Sequence, residues 1–361
     1  MASSPELVAV VMAGGAGTRF WPLSRRRRPK QLLPFAEGRS LLSAAVERLL
    51  PLVPPSQVVV VTGAGLAEAV RTDLPLIPPQ NVLAEPTGRD TAACIGWVAW
   101  RLAASLPNAV MLVVPADHVI PDGIALRQAL AAAADVACRY DALVTLGLAP
   151  TGPEPGFGYL ELGEGGEAVG ELTAHPVRRF VEKPDRVRAA QLLATGRWRW
   201  NSGMFAWRVR TIVAAIREHL PELAVALDRL VADAASVGEA AALAVHYPGL
   251  PRTSIDFGVM EKARSVWAVP VSFAWSDVGS WSGLAAVLPV HAAGAVVGDV
   301  VALECERSVL VSEGPLLAAV RVSDMVVVAT SDAVLVLPRS EAQRVKEVVE
   351  RLAADGRNDL L

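Results

Sequence analysis

Three closely spaced glycines and two fixed cations carry the clearest chemistry of this chain. Residues 7–12 form a continuous apolar run suited to a buried parallel strand, and Gly14, Gly15 and Gly17 follow it directly. Glycines there let the backbone turn sharply and present bare N–H groups to an anion. Arg19 adds a planar fork matched to phosphate oxygens, and Lys30 adds a compact point charge. With Ala13 and Thr18, the stretch reads as a cradle for a nucleoside triphosphate.

Two commoner phosphate loops are excluded. No Gly-Lys-Ser/Thr ending occurs, so this is not a Walker loop, and no third glycine completes a dinucleotide fingerprint. Further candidates are scattered along the chain. Asp117 ends an apolar run, and Asp277 sits in a turn between tryptophans; two lone carboxylates suit Mg²⁺, which takes one or two carboxylates plus water and substrate phosphates. Taken singly, each aspartate would cap a helix or turn. Lys183 stands beside Glu182, and Asn201 offers an amide suited to sugar hydroxyls. Neither a Gly-x-Ser-x-Gly elbow nor a His-Glu-x-x-His zinc pattern is present, so no protein nucleophile stands out.

Composition narrows the class. The chain has 361 residues, 52% of them apolar, and a net charge of −3, which gives no support for a nucleic-acid surface. Three distant cysteines argue for a reducing compartment, and no leader or membrane span is legible, so the expectation is a soluble cytoplasmic protein without a membrane partner. The run Arg25 to Arg28 reads as a solvated loop, whose position also allows a supporting role in drawing phosphates. Lysine is scarce: Lys30, Lys183, Lys262 and Lys346 are the only four among 34 basic residues, so each is a candidate for a role that requires an ammonium.

These side chains need a scaffold. Apolar runs at 7–13, 57–62, 109–115 and 143–147 alternate with helical patterns at 41–50, 91–104 and 124–139, which predicts an α/β fold with a Rossmann-like, mostly parallel sheet covered on both faces. Such sheets bind ligands at the carboxyl ends of their strands. Residues 151–170 read as an irregular insertion or hairpin, and helices are expected at 186–194 and 211–230, with an aromatic cluster of Trp198, Trp200, Phe205 and Trp207 between them. Beyond 288 short β-rich runs at 296–301, 308–311, 316–322 and 325–328 precede an amphipathic helix at 340–352. Two units follow, 1–288 and 289–361.

The ordered series GGAGTRFWPLS…PKQ, EPTGRDTAA, PADH, GFGYLE, FVEKP, WNSGMF, SIDFGVMEK and WSDVGSW strongly resembles the mannose-1-phosphate guanylyltransferases of the sugar-nucleotidyltransferase superfamily. The resemblance implies a glycosyltransferase-A-like catalytic domain, a small left-handed β-helix after it, and synthesis of GDP-mannose and pyrophosphate from GTP and mannose 1-phosphate with Mg²⁺. It places Gly14, Gly15, Gly17, Arg19 and Lys30 on the nucleotide phosphates and Glu85 and Pro86 near the guanine. It assigns Asp117 and Asp277 to the metal, and Gly158, Glu182, Lys183, Asn201 and Asp256 to the sugar-phosphate side. Longer members of the family carry an isomerase domain, so a second activity is not expected in this chain. The closing helix and apolar tail leave a homodimer open, although such a helix ordinarily packs on its own domain. Rival readings are the same chemistry on another hexose or heptose 1-phosphate, and a silent nucleotide-sugar sensor on the same fold. A dinucleotide oxidoreductase is disfavoured by the incomplete glycine fingerprint.

Overall fold

The structure is a computed structural model that describes residues 5–15, 17–35, 38–285 and 290–361. The expected division between 288 and 289 falls outside the described residues. Up to Val271 the chain lays down β1 (Leu7–Met12), β2 (Val58–Gly63), β3 (Val82–Glu85), β4 (Val110–Pro115), β5 (Leu143–Leu148), β6 (Tyr159–Leu162), β7 (Glu167–Val169), β8 (Leu172–Val181), β9 (Trp198–Arg208) and β10 (Val266–Val271). Helices α1 (Leu41–Leu49), α2 (Ala67–Asp73), α3 (Asp90–Ala103), α4 (Gly123–Tyr140), α5 (Arg186–Leu193), α6 (Val209–His219), α7 (Pro221–Val237) and α8 (Glu239–His246) intervene.

The strands form one sheet in the order β3-β2-β1-β4-β9-β5-β10-β8-β6, with β7 on β8. Pairs β2–β3, β1–β2, β1–β4 and β5–β10 are parallel, as the alternating pattern predicts. The aromatic cluster is strand β9, which runs antiparallel between β4 and β5 and reaches on to β6. β1 shows why apolar runs mark this fold: Ala9 and Val11 enter one core, with α1 and α4, while Val8 and Val10 enter the other, with α3, α6 and α7.

Three expectations change in detail. The insertion at 151–170 contains β6 and β7, so part of it belongs to the sheet. The single helix expected over 211–230 is two, because Pro221 starts α7 after a break at Leu220. The amphipathic segment at 340–352 begins as a 3₁₀ turn, Arg339–Arg344, before it becomes an α-helix.

After a short helix α9 (Trp281–Ala285), the second unit contains β11 (Val290–His291), β12 (Gly294–Val297), β13 (Val300–Leu303), β14 (Ser308–Glu313), β15 (Leu317–Val320), β16 (Met325–Thr330), β17 (Val334–Pro338) and the helix α10 (Val345–Ala354). Its β12–β14–β16 and β13–β15 ladders are parallel, the winding of a β-helix. Val300 pairs with Leu317, Glu306 with Ser323 and Val309 with Val326, each a step of 17 residues. The β12–β14 ladder steps by 14 residues, Ala295 to Val309, so the coils are unequal and no regular hexapeptide pattern is legible.

The two units share a core. Phe20, Leu33, Leu41 and Trp281 pack with Val309, Val326 and Val345. Around this core, Arg25 pairs with Asp332 at 2.8 Å, Arg28 with Glu313 at 2.5 Å, and the Trp21 indole donates to the Leu360 carbonyl at 2.9 Å. Two arginines of the basic run are therefore paired with carboxylates of the β-helix. α10 packs on its own chain, against the Thr18–Phe20 turn.

Candidate active site

The carboxyl ends of β1 and β4 open onto the site, where strand-end loops converge as the rule for parallel sheets requires. The Ala13 carbonyl accepts from Gln31 Nε2 at 2.8 Å and Thr62 Oγ1 at 3.1 Å, which anchors the start of the glycine loop. Gly17 has φ +57°, and a Cβ there would lie 2.5 Å from the Lys30 Cβ. Only glycine lets the loop touch the turn that carries Lys30.

Lys30 is buried at 6% exposure and joins the two distant aspartates. Its ammonium donates to Asp117 Oδ2 at 2.8 Å and to the Asp277 carbonyl at 2.5 Å. Their loops are also bridged by backbone: Val119 N–H donates to the Ser276 carbonyl at 2.9 Å and Ser276 N–H to the Val119 carbonyl at 3.1 Å. Burial would raise the Asp117 carboxyl, but the Lys30 charge and hydrogen bonds outweigh it and hold the group below the usual range. Burial lowers His118 despite both aspartates, so it is a neutral imidazole. Trp275 Nε1–H donates to its Nδ1 at 3.2 Å, which leaves Nε2 as the protonated nitrogen, 4.0 Å from Asp117 Oδ1.

Two cavities share Asp117, His118 and Asp277. The larger, about 600 Å³, runs between Gly14, Gly15 and Glu85 at one end and Gly158, Glu182, Lys183, Asn201 and Asp256 at the other. The smaller, about 400 Å³, is lined by Gly17, Thr18, Arg19 and Lys30. Ala13 and Pro86 line neither: Ala13 is buried beneath the loop, and Pro86 is exposed.

At the far end Asn201 is clamped on both sides. Thr145 Oγ1 donates to its Oδ1 at 2.8 Å, and its Nδ2 donates to Asp256 Oδ1 at 2.8 Å. Burial, reinforced by the Glu182 charge, pushes Asp256 up to about 7. Lys183 pairs with Glu182 Oε1 at 2.9 Å, while Glu182 Oε2 is buried without a partner. A Cβ on Gly158 would sit 2.4 Å from that oxygen, so glycine keeps the space above an unpaired acceptor clear. Burial works to lower Lys183, but Glu182, Asp256 and Asp90 carry it above its usual value.

Glu85 lies at the end of β3, buried, and accepts from the Tyr247 hydroxyl. Burial raises its carboxyl, and the Tyr247 hydrogen bond opposes the rise. Sequence reasoning picked out the EPTGRDTAA segment but not Arg89 and Thr91 within it, and missed Arg252 on this wall and the aromatic run in which Phe157 lies 5.0 Å from Trp200 and 5.3 Å from Trp275. Phe157 sits inside the GFGYLE segment; Arg252 had no signal at all.

No cluster of three or more His, Cys, Asp or Glu side chains with metal-holding geometry exists among the described residues. The donor set still fits Mg²⁺. Lys30 engages one oxygen of Asp117 and the Gly279 N–H one oxygen of Asp277 at 3.1 Å, so each carboxylate has a second oxygen for a hard ion that draws its other ligands from water and phosphate.

This geometry has close counterparts. Residues 8–292 match the family described as Nucleotidyl transferase, and residues 298–352 match the MannoseP isomerase/GMP-like beta-helix domain. A mannose-1-phosphate guanylyltransferase of Escherichia coli K12 is 38% identical over 98% of this chain and 75% of its own length. The chain belongs to the mannose-1-phosphate guanylyltransferase family of nucleotidyl transferases. A xanthan biosynthesis protein, XanB, of Xanthomonas campestris pv. campestris B100 is 37% identical with the same coverage. A crystal structure from Thermus thermophilus, described as a mannose-1-phosphate geranyltransferase, superposes with TM-score 0.84 at 40% identity over 96% of this chain and 99% of that one. This chain spans three quarters of the curated relatives' length. No helix among the described residues is long and apolar enough to cross a membrane.

Proposed function

We propose that the protein makes GDP-mannose and pyrophosphate from GTP and mannose 1-phosphate, with residues 1–288 as the catalytic unit and 289–361 as its β-helical companion. The convergence of Lys30, Asp117 and Asp277 between a glycine loop and the Lys183–Asn201–Asp256 cluster, in a chain of this family, carries the reading. A phosphate oxygen of the sugar attacks the α-phosphorus in line; the new O–P bond forms as the bond to the β-phosphate oxygen breaks, and the electron pair leaves with pyrophosphate. The attacking oxygen is already ionised at neutral pH, so no proton has to be removed.

What remains is positioning and charge neutralisation. The bare amides of Gly14, Gly15 and Gly17, with Thr18 and Arg19, hold the triphosphate above β1. Glu85, fixed by Tyr247, faces the base, because a carboxylate can accept from the N–H groups of guanine. Lys183 meets the sugar phosphate, and Glu182 Oε2 and Asn201 meet hydroxyls. Mg²⁺ held by Asp117 and Asp277 would supply charge neutralisation between the two polyanions. Lys30 keeps both aspartates together and holds the Asp117 carboxyl ionised.

Pyrophosphate release tests the reading. GTP with mannose 1-phosphate should outpace ATP, UTP and dTTP, and should outpace GTP with glucose or heptose 1-phosphate. Equal rates across nucleotides would remove the guanylyl assignment. The expectations of a cytoplasmic location and a homodimer are open to fractionation and to light scattering.

A further inference from the structure

The small cavity has one wall that the catalytic unit does not supply. Its lining includes Lys346, from α10, beside Gly17, Thr18, Arg19, Lys30 and Asp277. We propose that Lys346 binds the pyrophosphate group, as the β- and γ-phosphates of the bound nucleotide and then as the leaving anion, so that the β-helical unit completes the phosphate site. The proposal rests on the nucleotidyltransferase reading given above.

The backbone beneath Lys346 is held. Val345, its neighbour, is fully buried in the shared core with Phe20 and Trp281, and α10 packs on the Thr18–Phe20 turn. The side chain is free to change partner. It makes an ion pair with Glu350 Oε1 at 3.2 Å, one helical turn on, with both side chains about two-thirds exposed (63% and 62%). Such a pair contributes little and exchanges readily for a stronger anion.

Electrostatics leave room for this cation. Lys30 is already engaged by Asp117 and the Asp277 carbonyl, so its charge serves the metal aspartates first. Arg19 makes only a long contact with the Gly279 carbonyl, at 3.5 Å. Arg19 and Lys346 thus line the same cavity, and neither is committed to a buried carboxylate. A polyanion with several charged oxygens is better held by two such groups than by one. That the position is lysine in a chain so dominated by arginine agrees with a compact charge reaching a phosphate.

The test uses the full chain and inorganic pyrophosphate. Calorimetric titration should show pyrophosphate binding to the wild type, about tenfold weaker binding to Lys346→Ala, and only partial recovery in Lys346→Arg. In the reverse reaction with GDP-mannose, Lys346→Ala should raise the KM for pyrophosphate by about the same factor and leave the KM for GDP-mannose unchanged. The difference should shrink as salt rises. Unchanged pyrophosphate affinity in Lys346→Ala, or equal rises in both KM values with a lowered Tm, overturns the proposal. A wild type that binds pyrophosphate but makes no GDP-mannose would instead overturn the functional reading alone.

Discussion

The ammonium of Lys30 lies 2.8 Å from Asp117 Oδ2, across 87 positions of sequence, and the same nitrogen reaches the carbonyl of Asp277. One buried cation thus ties the Asp117 carboxylate to the backbone of Asp277, the two residues proposed to share a metal. Lys30→Met keeps the volume and removes the charge. It should lower kcat by about a hundredfold or more, the scale of losing a preorganised electrostatic contact. Steady-state pyrophosphate release measures this, and a loss confined to the KM for GTP would argue against the bridging role. Asp117→Asn and Arg19→Ala should cost about as much.

Metal dependence follows from the same pair. Chelation with EDTA should abolish pyrophosphate release, and added Mg²⁺ should restore it. Asp277→Asn should raise the Mg²⁺ concentration for half-maximal rate by about tenfold or more, because one of two carboxylate ligands is lost. Full activity after chelation would end the metal assignment.

Gly17→Ala meets two obstacles at once. Its φ of +57° disfavours a side chain, and the new Cβ would press on Lys30. A loss of about 1–3 kcal/mol in stability is expected by urea unfolding, together with a raised KM for GTP. Gly15→Ala has nothing within 4 Å of its Cβ, so its cost should come from backbone strain at φ +102° alone.

Asp256 gives a pH signature. Its folded pKa, about 7, lies above the ordinary carboxyl range, so the folded chain binds this proton more tightly than the unfolded one. The sign is that stability is lost as pH rises between those two values and levels off above the higher. The stability of Asp256→Asn relative to wild type should therefore grow from about pH 5 to about pH 8, measured by urea unfolding at each pH. A constant difference would mean the group is ionised throughout.

Thr145 supports Asn201 from behind, buried, with its hydroxyl shared between Asn201 Oδ1 and the Met204 carbonyl. Thr145→Val should cost about 1–3 kcal/mol for the buried hydrogen bonding lost, Asn201 Oδ1 keeping only the Gly203 N–H at 3.4 Å. It should also raise the KM for mannose 1-phosphate while the KM for GTP stays constant.

Much of this architecture was legible in local pattern. β1, β2, β4 and β5 are apolar runs because both sheet faces are covered, and α4 is long enough to show its period. β3 has four residues and β6 lies within a stretch rich in glycine and glutamate, so neither rises above its surroundings. Pro221 was a readable start signal that the apolar period across 211–230 concealed. In the site, residues with a distinctive chemical type, such as Lys30, Asp117 and Lys183, could be chosen from sequence. Arg252 could not, since only the docking of the 253–256 loop against α3 brings it to the cavity, through Ile255 N–H on Thr91 Oγ1 at 2.9 Å. The Arg25 and Arg28 pairings were hidden for the same reason: Asp332 and Glu313 lie 307 and 285 positions away.

The shared core of Phe20, Trp281, Val309 and Val345 has a bearing on how the protein is made. The glycine loop and the Thr18–Phe20 turn leave the ribosome early, yet the surface on which they settle is synthesised long after. Until then the nascent phosphate loop has its strand but lacks its floor. Competence for catalysis should arrive in one late step, when the coil of the β-helix closes against residues made at the outset, and a ribosome stalled between the two units would hold a nearly complete sheet with an unfinished triphosphate site.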